Sequence, residues 1–240
     1  MLILAFESSA KAGSVALLRD GALLSEYIQH GGQTHSRTLM KMADDMLTNC
    51  DLTPKDVDAV ACAAGPGSFT GVRIGLSAAK GFAWAGELPC CGVSTLEAMA
   101  YGVMPFEGII ICAMDARRNQ VYNALFRSDG AQITRLTPDR AISIEELRAD
   151  LLKIDEKKIL VGDGAQLCYN TLKGELPELR LAPEHLRQQR ASGVAVCAQA
   201  MLLAGENFDG GTVTPNYLRL SQAERERNER LKNQNKGDIS

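Results

Sequence analysis

The chain has 240 residues, 45% hydrophobic and 23% charged, with 26 lysines and arginines against 29 aspartates and glutamates for a formal net charge of -3. That apolar content excludes an intrinsically disordered chain, and the slightly acidic balance excludes a surface that is one electrostatic footprint for nucleic acid, so any RNA it serves is expected to be held by a partner. No apolar run approaches the ~20 residues of a membrane span, the opening MLILAFESS has no basic leader, and the seven cysteines, without a C-x-x-C pair, read as reduced core thiols; a cytoplasmic protein is predicted.

Residues 2 to 7 (LILAFE) predict a strand, Ser8 to Gly13 a turn, Ser14 to Leu18 a second strand, and Asp20-Gly21 a hairpin turn. Thr34 to Cys50 places Leu39, Met42, Met46 and Cys50 on one helical face, widened by Met40, Ala43 and Leu47, with Thr34 or Ser36 as cap. A turn at Thr53-Pro54 precedes a buried strand over Val57 to Ala64. Gly65 to Gly71 (GPGSFTG) is then a loop leading into a helix from Val72 to about Ala85, rich in Gly, Ala and Ser, whose stripe of Val72, Leu76, Ala79 and Ala83 could face the core or a partner. Pro89 to Val93 predicts another strand, and Ser94 caps a helix over Leu96 to Tyr101.

The opening unit recurs about a hundred residues later. LILAFESSAKAGSVALLRDGALL lies on IIICAMDARRNQVYNALFRSDGAQI with one inserted residue, placing Glu7 on Asp115 and Asp20-Gly21 on Asp129-Gly130. Two related halves, each with a mixed sheet and helices, are therefore expected: residues 1–104, residues 105–222, and a charged tail over 223–240. Ile159 to Val161 before Gly162-Asp163-Gly164 gives the second half a further strand and turn.

The motifs exclude more than they assign. The Gly65–Gly71 loop stands between strand and helix, where backbone N–H groups can meet phosphate, but it lacks the lysine and hydroxyl of a P-loop and the spacing of a dinucleotide fingerprint; a structural turn stays open beside phosphate contact through Gly65, Gly67 and Ser68. No G-x-S-x-G elbow is present, and the histidines, His30, His35 and His185, form no H-E-x-x-H, so neither a serine hydrolase nor a metallopeptidase is supported. Glu7, followed by Ser8, and Asp115 each end a strand. There a carboxylate either handles metal-phosphate or accepts backbone N–H groups of its own turn.

GPGSFTGVRIGLSAAKGFA (Gly65 to Ala83), with THSRTLM before it, DARRNQVYNALF (Asp115 to Phe126) after it and PNYLRLSQAERER (Pro215 to Arg227) at the end, closely resembles the TsaB (YeaZ) family over nearly the whole chain. That family is a bacterial subunit of the machinery that makes threonylcarbamoyladenosine next to the tRNA anticodon. The resemblance implies an α/β fold of the actin, Hsp70 and sugar-kinase (ASKHA) type. It implies a non-catalytic scaffold and activator of a TsaD-type catalytic subunit, acting with a TsaE-type ATPase, with tRNA reached only indirectly. No cofactor of the chain's own is expected, and a partner interface is the candidate place for ATP.

The catalytic relative carries two metal-binding histidines on its first helix where this chain offers His35 alone, and Glu7 stands where an aspartate is usual. By the same resemblance the first two helices should meet TsaD, or a second copy of the chain, through His35, Leu39, Met42, Met46, Val72, Leu76, Ala79 and Ala83. Leu39→Arg or Leu76→Arg is then expected to break association and leave the chain folded. The competing reading is an ATP-binding phosphotransferase or a glycoprotease-like peptidase acting alone. Direct tRNA binding by the tail is expected to be weak, because Glu224, Glu226 and Glu229 offset its basic residues.

Overall fold

A computed structural model describes residues 1–206 and 208–219; the charged tail over 223–240 lies outside the described residues. Strand β1 (Leu2–Glu7), wholly buried, lies at the centre of the first sheet. It pairs antiparallel with β2 (Gly13–Arg19), Leu4 opposite Leu17, and β2 pairs antiparallel with β3 (Ala22–Gln29). On its other side β1 runs parallel to β4 (Ala59–Ala63), and β4 parallel to β5 (Cys90–Val93). The order is β3-β2-β1-β4-β5. β3 (ALLSEYIQ) has no clean apolar alternation because it is a half-exposed edge, so periodicity does not reveal it.

The second sheet repeats this plan. β6 (Gly108–Asp115), β7 (Gln120–Ser128), β8 (Ile133–Arg135), β10 (Lys158–Val161) and β11 (Leu179–Leu181) stand in the order β11-β10-β6-β7-β8, with β9 (Arg140–Ser143) added on β7. Glu7 and Asp115 end equivalent central strands, as the sequence repeat requires.

Helices α1 (His35–Asn49) and α2 (Phe69–Ala85) bury Leu39, Met46, Leu76 and Ala79 against Leu4, Phe6 and Leu17 on the outer face of the first sheet. α4 (Ile144–Leu151) and α5 (Ala165–Leu172) do the same on the second, with Leu147, Cys168 and Leu172 against Ile109, Ile111 and Leu125. The inner faces are exchanged: α3 (Thr95–Tyr101), which follows the first sheet, packs Leu96 and Met99 on Ile110 and Phe126 of the second. After the short α6 (Glu184–Arg187), α7 (Ala191–Leu203) returns to pack Val194, Ala195 and Ala198 on Ile3, Ala5 and Ala16 of the first. A Cβ on Gly193 would stand 2.1 Å from the Ala98 carbonyl oxygen, so glycine permits this crossing. Two sheets of one strand order, joined by a crossed helix pair, make an actin/Hsp70/sugar-kinase-like fold with a cleft between the halves.

α2 begins at Phe69, three residues before the predicted start. Ser68 caps it, its Oγ accepting the Gly71 N–H at 3.2 Å. Thr34 is the N-cap of α1 by position, but its side chain makes no capping bond.

Candidate functional site

Two concavities share the start of α2. The first, the cleft, holds about 580 Å³ between the β1–β2 turn, the β6–β7 turn and residues 216–219. On its first-half side Glu7 is 1% exposed. Its Oε1 accepts the Ser9 N–H at 2.5 Å, whereas its Oε2 and the Ser9 Oγ are buried without a hydrogen-bond partner among the described residues. Burial raises the Glu7 carboxyl from 4.5 to about 7; the bond from the Ser9 N–H opposes the rise and the charge of Asp163 adds to it. Desolvation between the cleft walls likewise raises Asp163, against a bond from Gln189 Nε2 at 3.1 Å.

On the second-half side Asp115 is exposed and accepts the Arg117 N–H at 2.7 Å. Arg117, Arg118 and Asn119 follow with φ of 62°, 56° and 56°, a left-handed run without a glycine. Each strand-ending carboxylate thus accepts an N–H two residues on, which is the turn role left open above.

The Gly-rich loop is used up by packing. Ser68 N–H donates to Ser9 O at 2.7 Å, and Ser8 Oγ donates to Gly71 O at 2.8 Å. A Cβ on Gly67 would stand 2.6 Å from Ser9 O, and one on Gly71 would stand 2.1 Å from Ser8 O. Gly65 has φ +109° and faces Asn216 O at 2.7 Å from its Cβ position. The glycines therefore let this loop lie directly on the β1–β2 turn, while Gly67 and Ser68 also line the cleft. Gly65, Gly67, Ser68 and Ser8, the phosphate candidates of the sequence, all take part in this packing.

The second concavity is a groove of about 540 Å³ between α1 and α2, walled by Ser36, Met40, Arg73, Ile74, Ser77 and Ala78, with His35 and Leu39 also lining it. The His35 Nε2 is 2.9 Å from Ala10 O, and its ring lies where a Gly13 Cβ would be, so it ties α1 to the β1–β2 turn. Of the other positions expected at a partner surface, Leu39, Met46, Val72, Leu76, Ala79 and Ala83 are buried and Met42 is half-buried. This corrects the expectation: the most apolar stripe of each helix covers its own sheet, and the flanking residues are left facing outward.

A family model described as "TsaD: tRNA N6-adenosine threonylcarbamoyltransferase" matches residues 24–227. The "tRNA threonylcarbamoyladenosine biosynthesis protein TsaB" of Escherichia coli (strain K12) is 40% identical over 93% of this chain and 96% of its own length. Its namesake from Bacillus subtilis (strain 168) is 32% identical over the same shares. The chain belongs to the TsaB family of tRNA threonylcarbamoyladenosine biosynthesis proteins. YeaZ from Pseudomonas aeruginosa has a similar structure, with a TM-score of 0.73 and 26% identity over 90% of this chain and 99% of that one.

For a TsaB-family chain the described residues hold no group of three histidine, cysteine or acidic side chains placed to bind a metal, and no helix long and apolar enough to cross a membrane. Sequence reasoning missed Asp163, Gln189, Tyr217 and Arg219. Gly162-Asp163-Gly164 read only as a turn, and the C-terminal residues carry no periodicity that would place them in a cleft.

Proposed function

We propose that this chain is a non-catalytic subunit required for threonylcarbamoylation of the anticodon-adjacent adenosine of tRNA. It binds a TsaD-type catalytic subunit through the outer face of α1 and α2 and, together with a TsaE-type ATPase, activates it. The observation that carries this reading is the groove, where Met40, 46% exposed, stands with the half-buried Ile74 and Ala78. Methionine adapts its shape to different surfaces, so without the catalytic subunit a second copy takes the same face.

The carboxylates that would carry chemistry in the cleft are engaged by their own turns, and His35 by Ala10 O. The chain accordingly binds no nucleotide of its own; ATP is used at an interface with partners, tRNA is reached only within the complex, and the setting is cytoplasmic.

The test is reconstituted threonylcarbamoyl transfer to tRNA with this chain alone, the TsaD-type subunit alone, the TsaE-type ATPase added, and all three together. Activity should require this chain and never appear with it alone. Turnover of ATP or modification of tRNA by the isolated chain would overturn the reading in favour of an independent enzyme.

A further inference from the structure

Phe69 and Thr70 line both concavities, so the first turn of α2 is a wall common to the groove and the cleft. Residues 216–219 ride on that wall. Asn216 N–H donates to Ala64 O at 2.7 Å, at the end of the first sheet. The Tyr217 ring stacks on Phe69 with centroids 4.6 Å apart. Arg73 lays its guanidinium 3.9 Å from the Phe69 centroid and donates from Nε to the Tyr217 hydroxyl at 2.7 Å. Two residues later Arg219 Nη1 donates to Ala116 O at 2.7 Å, in the second half, at the root of the left-handed β6–β7 turn.

This short stretch is therefore fastened to the first half at one end and to the second half at the other. Its middle is clamped to the residues that wall the groove. The apolar α3–α7 crossing also joins the halves, but none of its residues lines the groove.

We propose that residues 216–219 are a strap that couples the groove to the cleft: a partner seated on Arg73 and Phe69 fixes Tyr217 and, through Arg219, restrains the β6–β7 turn. A partner that removes water from Arg73 strengthens both its contact with the ring faces and its bond to Tyr217. Coupling of this kind is reciprocal, so whatever loosens the strap from the cleft side weakens the partner by the same factor. The inference deepens the groove reading above and rests on it.

The experiment is hydrogen exchange on the full chain with and without the TsaD-type subunit. In the wild type, amides over 36–40 and 70–78 become protected where the partner sits, and exchange over 116–122 slows about fivefold or more. With the TsaD-type subunit at saturation, Tyr217→Ala and Arg219→Ala, neither lining the groove, keep the first effect and lose the second. Tyr217→Phe, which keeps the ring and loses the hydroxyl, falls between. Thermal melts of each variant confirm a folded chain, and because one alanine variant cuts the strap's clamp on α2 and the other its tie to the second half, either alone suffices. Groove protection without any response at 116–122 would overturn the strap and leave the groove reading standing, as would a response that persists in both alanine variants. No protection at the groove would remove the docking reading itself, and the strap with it.

Discussion

On the first sheet the outer layer is two long helices, α1 with 15 residues and α2 with 17, whereas the matching layer on the second sheet is α4 and α5 with eight residues each. Of the short pair, α4 carries charges satisfied by their neighbours: Arg148 meets Glu145 at 2.6 Å and Glu175 at 2.5 Å, and Asp150 meets Arg140 at 2.8 Å, while α5 has no charged residue. The long pair leaves an apolar groove around Met40, Ile74 and Ala78. A surface whose charges are paired locally loses those bonds or must desolvate them when covered, while an apolar groove gains by being covered. The same strand order has thus been given one face finished in water and one finished by a partner.

The largest effect separates the inward from the outward side of the long pair. Leu39 is 1% exposed among Leu4, Phe6 and Leu17, so Leu39→Arg drives a guanidinium into that cluster and removes the leucine's packing. The cost, about 4–5 kcal/mol or more, is expected to abolish the cooperative melt rather than only the association. Gly71→Ala acts comparably, because its Cβ would stand 2.1 Å from a backbone oxygen that cannot move aside. A folded Leu39→Arg monomer unable to bind its partner would restore the expectation drawn from sequence.

Next in size is a pH effect at the first half's strand end. The Glu7 carboxyl titrates near 7 in the folded chain and near 4.5 when exposed, so between these values the unfolded chain has lost a proton the folded chain keeps. Stability therefore falls as pH rises from about 4.5 to 7, by up to about 3 kcal/mol, and levels off above. Glu7→Gln keeps an oxygen for the Ser9 N–H and cannot ionise, so its melting temperature should gain on the wild type through that window. Parallel melting curves would show that Glu7 is solvated.

The groove itself is probed by Ala78→Arg and Met40→Arg. Both residues border open space, so each variant should melt as the wild type does and bind the TsaD-type subunit at least about tenfold more weakly, read by titration calorimetry. Leu152→Arg at the end of α4, 51% exposed, is the matched control on the second half and should leave affinity unchanged. Equal losses from all three would mean the partner does not distinguish the halves.

Much of this fold was legible because its signals are local or repeated. The LILAFE and IIICAMD runs are period-independent buried strands, the cap at Ser94 is real, with Oγ accepting the Glu97 N–H at 3.2 Å, and the repeat with Glu7 on Asp115 became one strand order used twice. The site was harder to read for a physical reason. A helix stripe shows which face is apolar but not whether sheet or partner covers it, and Leu39, Val72 and Ala79 are buried within the chain's own fold. The glycines of 65–71 signalled close backbone approach, but only coordinates reveal that the approaching atoms are Ser8 O and Ser9 O. The strap was invisible because Tyr217 and Arg73 are 144 positions apart.

The smallest expected effect concerns Gly81, in the interior of α2 and one turn beyond Ser77 and Ala78, where a Cβ would meet nothing within 4 Å. Gly81→Ala should stabilise the isolated chain by about 0.5–1 kcal/mol, since alanine gives up less backbone freedom in a helix, which raises the melting temperature by about 1–4 °C. Nothing among the described residues explains a glycine at that cost. If the partner's backbone packs across the small residues Ser77 and Gly81, the added methyl should weaken association while it strengthens the fold. Opposite signs in the two measurements would place the partner over this turn of α2; a gain in stability with unchanged affinity would end the docking face at Ala78.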